Sequence, residues 1–285
     1  MRATNVIQGT KFTRAAKRRS TDAAGWAGTS ASSLVTGRKD RPDLGPFVVH
    51  LSSHSELDPQ QREAILGLPA HEVAVAAGRS ISKPVESAGR HAVIMLDGLA
   101  GRAGMTRAGG RQICGLFLPG DMADWKSVLC NDGLTGLQAL TPCRIARVPA
   151  APLRALAARS PAIAEAFWRD SLIHAATLEQ WMVNLGRRSA EERIAHLICE
   201  IAARYGKIDE GREASFPLPL TQTQLADALG LTSVHVNRCL KSLAAAGLLR
   251  IARRTATLID RARAIDFADF DPWYLRLDPA ASDLH

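Results

Sequence analysis

The sequence predicts an α+β protein in which a roll of short strands precedes a long helix and a C-terminal winged helix-turn-helix. Three observations lead to this prediction. Short β-type runs alternate with glycine turns from Pro46 to Pro149, a helical pattern runs unbroken from Ser160 to Leu185, and two short helical patterns meet at Gly230. Strands at roughly ten-residue spacing are typical of a sandwich or roll.

The composition favours a globular protein with an anionic partner. The chain has 285 residues, 46% of them hydrophobic, and a net charge of +8. This length predicts one or two domains, and the charge favours an anionic partner without identifying one. No apolar run reaches the roughly 18 residues of a membrane helix, and the N-terminus lacks the apolar core of a secretory signal. We therefore expect a cytoplasmic protein with no membrane partner.

The cysteines show no metal-binding spacing and are predicted to be small buried hydrophobes: Cys114, Cys130, Cys143, Cys199 and Cys239.

Residues 1–43 are predicted to form a disordered basic tail. They carry nine basic and three acidic side chains and show no sustained hydrophobic period, which is typical of disorder. A solvated tail is favoured over a basic arm that touches DNA. A start codon placed upstream of the true one would produce the same pattern.

Residues 44–159 are predicted to form a sensor domain built as a β-roll. Asp58-Pro59 predicts a short helix that runs to Leu66, because proline is favoured at the first helical position. A small helix is predicted from Pro152 to Ser160. The predicted strands are His71–Ala76, His91–Leu96, Leu99–Met105, Arg111–Leu118, Leu137–Leu140 and Cys143–Val148.

Residues 160–186 are predicted to form a dimerisation helix and a hinge. Ser160 is the predicted N-cap, Pro161 the first helical residue, and Gly186 the break and hinge. A helix of about 25 residues spans nearly 40 Å, and an apolar stripe of that length favours a homodimer seam. The alternative is packing within one subunit. The stripe consists of Trp168, Leu172, Ala175, Leu178, Met182 and Leu185.

Residues 187–275 are predicted to form a winged helix-turn-helix domain, followed by a tail at 276–285. Ser189 predicts a capping box that opens the first helix of this domain. A strand is predicted at Phe216–Leu220 and a last small helix from Asp260 to Phe270. After Gly247, an apolar run, two arginines and a β-branched run predict a β-hairpin, which we call the wing.

The helix-turn-helix itself is predicted from Thr221 to Ala246. Thr221 caps the first helix, Gly230 ends it in the left-handed conformation, and Thr232 caps the second. The second helix has one apolar face and one exposed basic face, so it can enter a DNA major groove. The alternative is a helical hairpin with a solvated outer face. The inward face holds Val236, Cys239, Leu240 and Leu243, and the outward face holds Val234, Arg238, Lys241 and Ala245.

Eleven residues are predicted to contact double-stranded DNA. They lie at the start of the first helix, along the second helix and at the tip of the wing, where arginines can hold phosphates. No nucleophile–base grouping, HExxH or P-loop occurs, so no catalytic residue is predicted and an enzyme is not expected. The predicted contacts are Thr221, Gln222, Thr223, Ser233, Val234, His235, Asn237, Arg238, Lys241, Arg253 and Arg254.

The segments RRSAEERIAHLICEI and LTQTQLADALGLTSVHVNRCLKSLAAAGLL make the chain similar to the Crp/Fnr family of transcription regulators. In the predicted roll, the matching segments are LDGLAGRAG and LFLPGD. The resemblance covers about residues 45–275. It implies a homodimer on an inverted-repeat operator, regulated by an effector through a cyclic-nucleotide-binding-like roll. RNA polymerase is an implied partner if the protein is an activator. The rival hypothesis is an effector-binding module that acts on a protein partner through a vestigial helix-turn-helix.

Two departures from the family pattern shape the ligand predictions. Residues 122–140 lack the Glu and the Arg with which cyclic-nucleotide-binding members hold ribose and phosphate, and Lys126 is the cation there. Since a buried phosphate needs a paired cation, cyclic AMP binding is not expected. Residues 1–113 lack cysteine, which excludes the N-terminal cluster of iron–sulfur members. Haem stays open as an alternative, with nothing distinctive at His91 or His174, and no metal site or cofactor is predicted.

The recognition helix also departs from the family. Many members carry a Glu and an Arg four residues apart that read a C and a G. Arg238 matches the Arg, but Val234 stands in the place of the Glu. The preferred half-site is therefore expected to differ from the best-known sites of the family.

Overall fold

A computed structural model describes residues 41–82, 91–130, 136–208 and 211–276. The predicted N-terminal tail lies outside these residues except for its last three positions, and only Arg276 of the C-terminal tail is described. Within the described part, the element order confirms the predicted fold class: a β-roll, a long helix and a winged helix-turn-helix.

Two antiparallel sheets form the roll, with strand orders β1-β7-β3 and β2-β6-β4-β5. All six predicted strands are confirmed with small differences at their ends, and β2 is an addition of three residues. The strands are β1 His71–Val75, β2 Ser80–Ser82, β3 His91–Asp97, β4 Ala100–Met105, β5 Arg111–Phe117, β6 Gly136–Ala139 and β7 Cys143–Pro149.

Apolar side chains fill the space between the two sheets. Because side chains alternate along a strand, Val93 and Met95 face this inner core from β3, whereas Ala92 and Ile94 face helices on the outside. The side chains of this inner core therefore fill the space between the two sheets. Its buried members are Ile81, Val93, Met95, Ala100, Phe117, Ala123, Leu137, Ala139, Cys143 and Ile145.

Short helices cover the outer face of the first sheet. The predicted helix at Asp58 is confirmed as α2, and its cap is a capping box in which the Asp58 carboxylate accepts from Gln61 N at 2.7 Å. The helix before it was not predicted, because GPFVVHLS is too short and apolar to show a helical period. The helices are α1 Gly45–Ser52, α2 Pro59–Leu66, α3 Lys126–Leu129 and α4 Ala150–Arg159.

The long helix α5 runs from Pro161 to Arg187. The predicted cap is confirmed, since the Ser160 hydroxyl accepts from Ile163 N. The prediction that Gly186 breaks the helix was wrong. The glycine is accommodated at a cost of about 1 kcal/mol, and the helix ends only where Arg188 becomes extended so that Ser189 can cap the next helix.

The C-terminal domain carries the predicted elements in the predicted order. The strand expected at Phe216–Leu220 begins and ends earlier, and a short 3-10 helix at Pro272–Leu275 was not predicted. The strands pair in the order β8-β10-β9. The elements are α6 Ala190–Arg204, β8 Ala214–Pro217, α7 Gln222–Leu229, α8 Ser233–Ala245, β9 Leu249–Ala252, β10 Thr255–Leu258 and α9 Arg261–Ala268.

The C-terminal domain shares a hydrophobic core with the roll of the same chain. Ile113 and Leu116 of β5 belong to the same buried cluster as Leu225 of α7. Two hydrogen bonds fix this contact: Gln112 Nε2 donates to the Ala228 carbonyl at 3.0 Å, and Gln224 Nε2 donates to the Leu140 carbonyl at 3.1 Å. Helix α7 is therefore held against the roll.

Among the described helices, none combines the length and the apolar character that crossing a membrane requires.

Candidate nucleic-acid interface

Local capping defines where α7 begins and where it ends. The predicted cap is confirmed, since the Thr221 hydroxyl accepts from Gln224 N at 3.1 Å; Gln224 Oε1 accepts from Thr221 N at 2.8 Å, which completes a capping box. Gly230 has φ +64°, and a Cβ on it would lie 3.0 Å from Leu185 Cδ2. The left-handed backbone therefore favours glycine here, and the Leu185 side chain would have to shift to admit a larger residue.

Helix α8 separates into a buried face and an exposed face. Val236, Cys239 and Leu243 are buried, as their spacing predicts, and Leu240 is half-buried against the same core. On the other face the side chain of Val234 is 70% exposed. The Thr232 hydroxyl caps the helix by accepting from His235 N at 3.2 Å.

The predicted DNA contacts lie on exposed surface. Within the described ranges, Arg238, Lys241, Arg253 and Arg254 form no side-chain ion pair or hydrogen bond, so their charges are available to an external anion. Ser233 and Asn237 are half-buried, and the other nine are exposed: Thr221, Gln222, Thr223, Val234, His235, Arg238, Lys241, Arg253 and Arg254.

The wing is a two-residue hairpin with an unusual turn. Ala252 pairs with Thr255, so Arg253 and Arg254 are the two loop residues, and their φ values are +49° and +63°. Positive φ at both positions is the pattern of a type I′ turn, which favours Asn-Gly. Two arginines at these positions carry backbone strain. Because they are the loop residues, both side chains lie at the hairpin tip.

A buried polar network joins α5 to the C-terminal domain. Glu200 is fully buried and accepts from Trp181 Nε1 at 2.9 Å and from the Tyr274 hydroxyl at 3.0 Å. Burial raises the pKa of its carboxyl group above the ordinary value. Nearby, His196 and Asn184 form a side-chain hydrogen bond of 3.1 Å, and burial lowers the pKa of His196 to about 4. No sequence pattern indicated these residues, because their partners lie on separate elements.

The predicted dimer stripe lies on the solvent side of α5. Trp168, Leu172 and Met182 are 71%, 67% and 66% exposed, whereas Trp181 on the opposite face is buried. Ala175 and Leu178 are also exposed, and Leu185 is half-buried beside Gly230. None of the described residues of the same chain covers this stripe.

A cavity of about 770 Å³ is lined by residues of β5, α1, α5 and α6. Arg102 and Lys126 contribute cationic groups to its lining. The Arg102 guanidinium lies over the Phe117 ring, 5.5 Å from the centroid, and donates to the Ala123 carbonyl. Arg204, a third cation in the lining, is paired with Asp121. Phe117 and Ala123 line this cavity and also belong to the inner core, so the cavity adjoins the filled space between the sheets.

A cluster of buried polar side chains borders this cavity. It contains His50, His54 and Asp170, with the Trp125 indole donating to Asp170. Sequence analysis did not single out these residues. The sequence shows the two histidines four residues apart. Helix α1, which positions the first of them, was not predicted.

A family model described as a Crp-like helix-turn-helix domain matches residues 192–263. This range contains α7, α8 and the wing.

Two curated relatives extend the similarity into the roll. The nitrogen fixation regulation protein FixK of Azorhizobium caulinodans is 28% identical over 204 residues, which cover 71% of this chain and 80% of FixK. The transcriptional activator protein FnrL of Cereibacter sphaeroides is 30% identical over 169 residues, which cover 57% of this chain and 66% of FnrL.

Solved structures share the fold at lower sequence identity. FixK2 from Bradyrhizobium japonicum superposes with a TM-score of 0.60 and 24% identity, covering 70% of this chain and 96% of FixK2. A CooA mutant from Carboxydothermus hydrogenoformans superposes with a TM-score of 0.58 and 17% identity, covering 78% and 95% of the two chains.

Proposed function

Since this chain belongs to the Crp/Fnr family of DNA-binding transcription regulators, we propose that it acts as a homodimer that binds an inverted-repeat operator through α8. Two recognition helices related by a two-fold axis meet half-sites about one DNA turn, roughly 34 Å, apart. The relatives named above include a transcriptional activator, so RNA polymerase is the proposed protein partner. The proposed place of action is the cytoplasm.

The observation that carries the proposal is the exposed face of α8. Among the described residues the Arg238 guanidinium there has no ion-pair or hydrogen-bond partner, and a guanidinium can donate two hydrogen bonds to O6 and N7 of guanine. Val234 lies one helical turn earlier on the same face and is 70% exposed. An apolar side chain in this position suits a thymine methyl group. We therefore propose that Arg238 reads a guanine and Val234 a neighbouring thymine.

The remaining predicted contacts would position the domain on the duplex. Thr221, Gln222 and Thr223 lie exposed at the start of α7, where hydroxyl, amide and backbone N–H groups can donate to phosphates. Lys241, Arg253 and Arg254 would neutralise phosphates without reading sequence. A vestigial helix-turn-helix has no need of these unpaired cations, and their presence favours DNA binding over the alternative of a module that acts only on protein.

The homodimer proposal rests on the two-faced α5. One face is buried in its own chain, and the stripe of Trp168, Leu172 and Met182 is exposed. A long apolar stripe suits the seam of a two-stranded coiled coil. The seam would align two C-terminal domains through the junction at Arg188.

The effector would bind to the roll. It would not be a cyclic nucleotide held between the two sheets. The apolar side chains of the inner core support this, because they fill the space between the sheets. We expect no micromolar binding of cyclic AMP or cyclic GMP in a calorimetric titration, which corresponds to a free energy weaker than about −8 kcal/mol. Saturable micromolar binding would contradict this part of the proposal.

The dimer is tested with Leu172→Glu. The side chain is exposed in the single chain, so the subunit should fold normally, but two carboxylates would face each other in the seam. Light scattering should report a monomer, and operator affinity should fall at least tenfold because the two half-sites are no longer bound together.

The matched control is Gln180→Glu, which adds the same charge to α5 at a half-buried position outside the stripe. It should remain a dimer. A Leu172→Glu protein that is still dimeric at micromolar concentration would rule out the seam.

A further inference from the structure

Three potential metal ligands converge beside the large cavity. His50 lies in α1, His54 follows two residues after its end, and Asp170 lies in α5. His50 Nε2 is 2.7 Å from Asp170 Oδ1, and His54 Nε2 is 3.8 Å from the same oxygen. All three donor atoms lie within 4.8 Å of one another. Bonds of 2.0–2.2 Å to a tetrahedral ion place donor atoms about 3.4 Å apart, so small side-chain adjustments would suffice.

Neighbouring side chains form hydrogen bonds with the second polar atoms of Asp170 and His54, and Asp121 lies near that of His50. Trp125 Nε1 donates to Asp170 Oδ2 at 2.6 Å, and Ser55 Oγ lies 3.1 Å from His54 Nδ1. Asp121 Oδ1 lies 3.7 Å from His50 Nδ1. Outer partners of this kind fix the orientation of histidine and carboxylate ligands in metal sites. Here they direct two Nε2 atoms and one carboxylate oxygen towards a common point.

His54 supplies an independent observation that points to a ligand. Its side chain is 1% exposed, and its Nε2 atom has no hydrogen-bond partner among the described residues. The 3.8 Å separation from Asp170 is too long for a hydrogen bond. An unsatisfied buried nitrogen costs about 1–3 kcal/mol, and coordination to an ion would satisfy it.

We propose that His50, His54 and Asp170 bind a divalent transition-metal ion. Two imidazoles and one carboxylate suit Zn²⁺, Fe²⁺, Co²⁺ or Ni²⁺, whereas Ca²⁺ takes six to eight oxygen ligands. Three protein ligands leave at least one coordination position open. His50 and His54 also line the cavity, so the open position would face it and accept water or a small effector. The ion would connect α1 of the roll to α5, and its binding does not depend on the proposed DNA contacts.

The experiment titrates the full chain, freed of metal by dialysis against a chelator, with Co²⁺ and then with Zn²⁺. Absorbance should show visible ligand-field bands that saturate at one Co²⁺ per chain and disappear when Zn²⁺ displaces it. His54→Phe retains a buried ring but removes the nitrogen, so its Zn²⁺ affinity should fall by more than 100-fold. Trp125→Phe removes only an outer partner and should weaken Zn²⁺ binding about 10–100-fold.

The matched control is His71→Ala, which removes a histidine from β1 outside the cluster and should bind as the wild type does. Circular dichroism establishes that each variant is folded. If His54→Phe does not fold, His50→Gln and Trp125→Phe decide the matter by the same titration. The proposal is overturned if the wild type binds no stoichiometric ion, or if the folded cluster variants bind Zn²⁺ with wild-type affinity. Either result would make the cluster a buried His–Asp hydrogen bond only.

Discussion

His196 shows how burial gives a single side chain a measurable pH dependence. It is 1% exposed, its ring lies against Phe270 and Tyr274, and its side chain is hydrogen-bonded to Asn184. Burial is the largest cause that lowers the pKa from 6.5 to about 4, and the charge of Arg188 acts in the same direction. The neutral imidazole is therefore the form that fits the folded protein.

Acidification should destabilise the wild type through this residue. Between pH 6.5 and 4 the unfolded chain binds a proton at His196 that the folded chain does not, so the free energy of unfolding falls as pH falls. At 1.36 kcal/mol per pKa unit, the loss amounts to about 3 kcal/mol. In His196→Asn, whose amide oxygen can still accept from Asn184, this part of the pH dependence should be absent. Urea unfolding at several pH values measures it.

The comparison between variants isolates His196. Burial also lowers the pKa of His54 to about 4, but His54 is present in both proteins and its contribution cancels. His235→Asn, which removes an exposed histidine from α8, controls for the loss of one imidazole. Parallel pH dependences of the wild type and His196→Asn between pH 4 and 7 would show that His196 does not resist protonation.

Residues on one regular element were predictable, and residues brought together by packing were not. The helical period of 3.6 residues placed Val236 and Cys239 inside and Arg238 outside, and the structure agrees. By contrast, Glu200 depends on Trp181 and Tyr274, which lie on two other elements. No sequence spacing could indicate that these side chains meet.

At the scale of single elements, the wing combines local strain with exposed charge. Arg253 and Arg254 occupy two left-handed positions that Asn-Gly fits better. Strain of this kind tends to persist where function requires it. The side chains make no ion pair in the described part of the chain, which is consistent with phosphate contacts.

Replacing both arginines, as Arg253→Asn with Arg254→Gly, should stabilise the fold while it weakens DNA binding. Relief of strain should raise the free energy of unfolding by about 1 kcal/mol. Loss of two phosphate contacts should weaken binding to all DNA sequences alike. It should also reduce the slope of log affinity against log salt by about two units per subunit, or about four per bound dimer, because each phosphate contact contributes about 0.9. Fluorescence anisotropy at several salt concentrations measures the slope.

The double lysine variant of the same positions provides the control. It keeps both charges on a similarly strained turn, so both the stability and the salt slope should stay near those of the wild type. An Asn-Gly variant with an unchanged salt slope would mean that the wing does not touch phosphates.

Element boundaries were predictable where a cap defines them. Thr221, Ser189 and Asp58 each begin a helix through a capping box that the sequence displays. Gly186 misled the prediction because glycine weakens a helix without ending it, and the end came instead from the extended Arg188. Helix α1 was not predicted because its eight residues are mostly apolar and lack an amphipathic pattern.

At the scale of the whole molecule, the roll holds the helix-turn-helix by its first helix and leaves the second free. Gln112 and Gln224 join α7 to the roll, and Asp121 of the roll pairs with the buried Arg204 of α6. Helix α8 keeps its basic face exposed in this arrangement. The roll therefore contacts the DNA-binding domain behind the surface that would read bases, where a change in the roll could move α8 without covering it.

The central claim is that Arg238 on a dimer of this chain reads one base pair in each half of an inverted repeat. The direct measurement is selection of binding sites from random DNA by the wild type, by Arg238→Ala and by Lys241→Ala. The wild type should select an inverted repeat with half-sites about one turn apart. Arg238→Ala should lose preference at one base pair per half-site, at a cost of about 1–3 kcal/mol. Lys241→Ala should bind more weakly but select the wild-type sequence. The claim is contradicted if Arg238→Ala selects the same half-site with the same information at every position, or if the wild type selects no repeat.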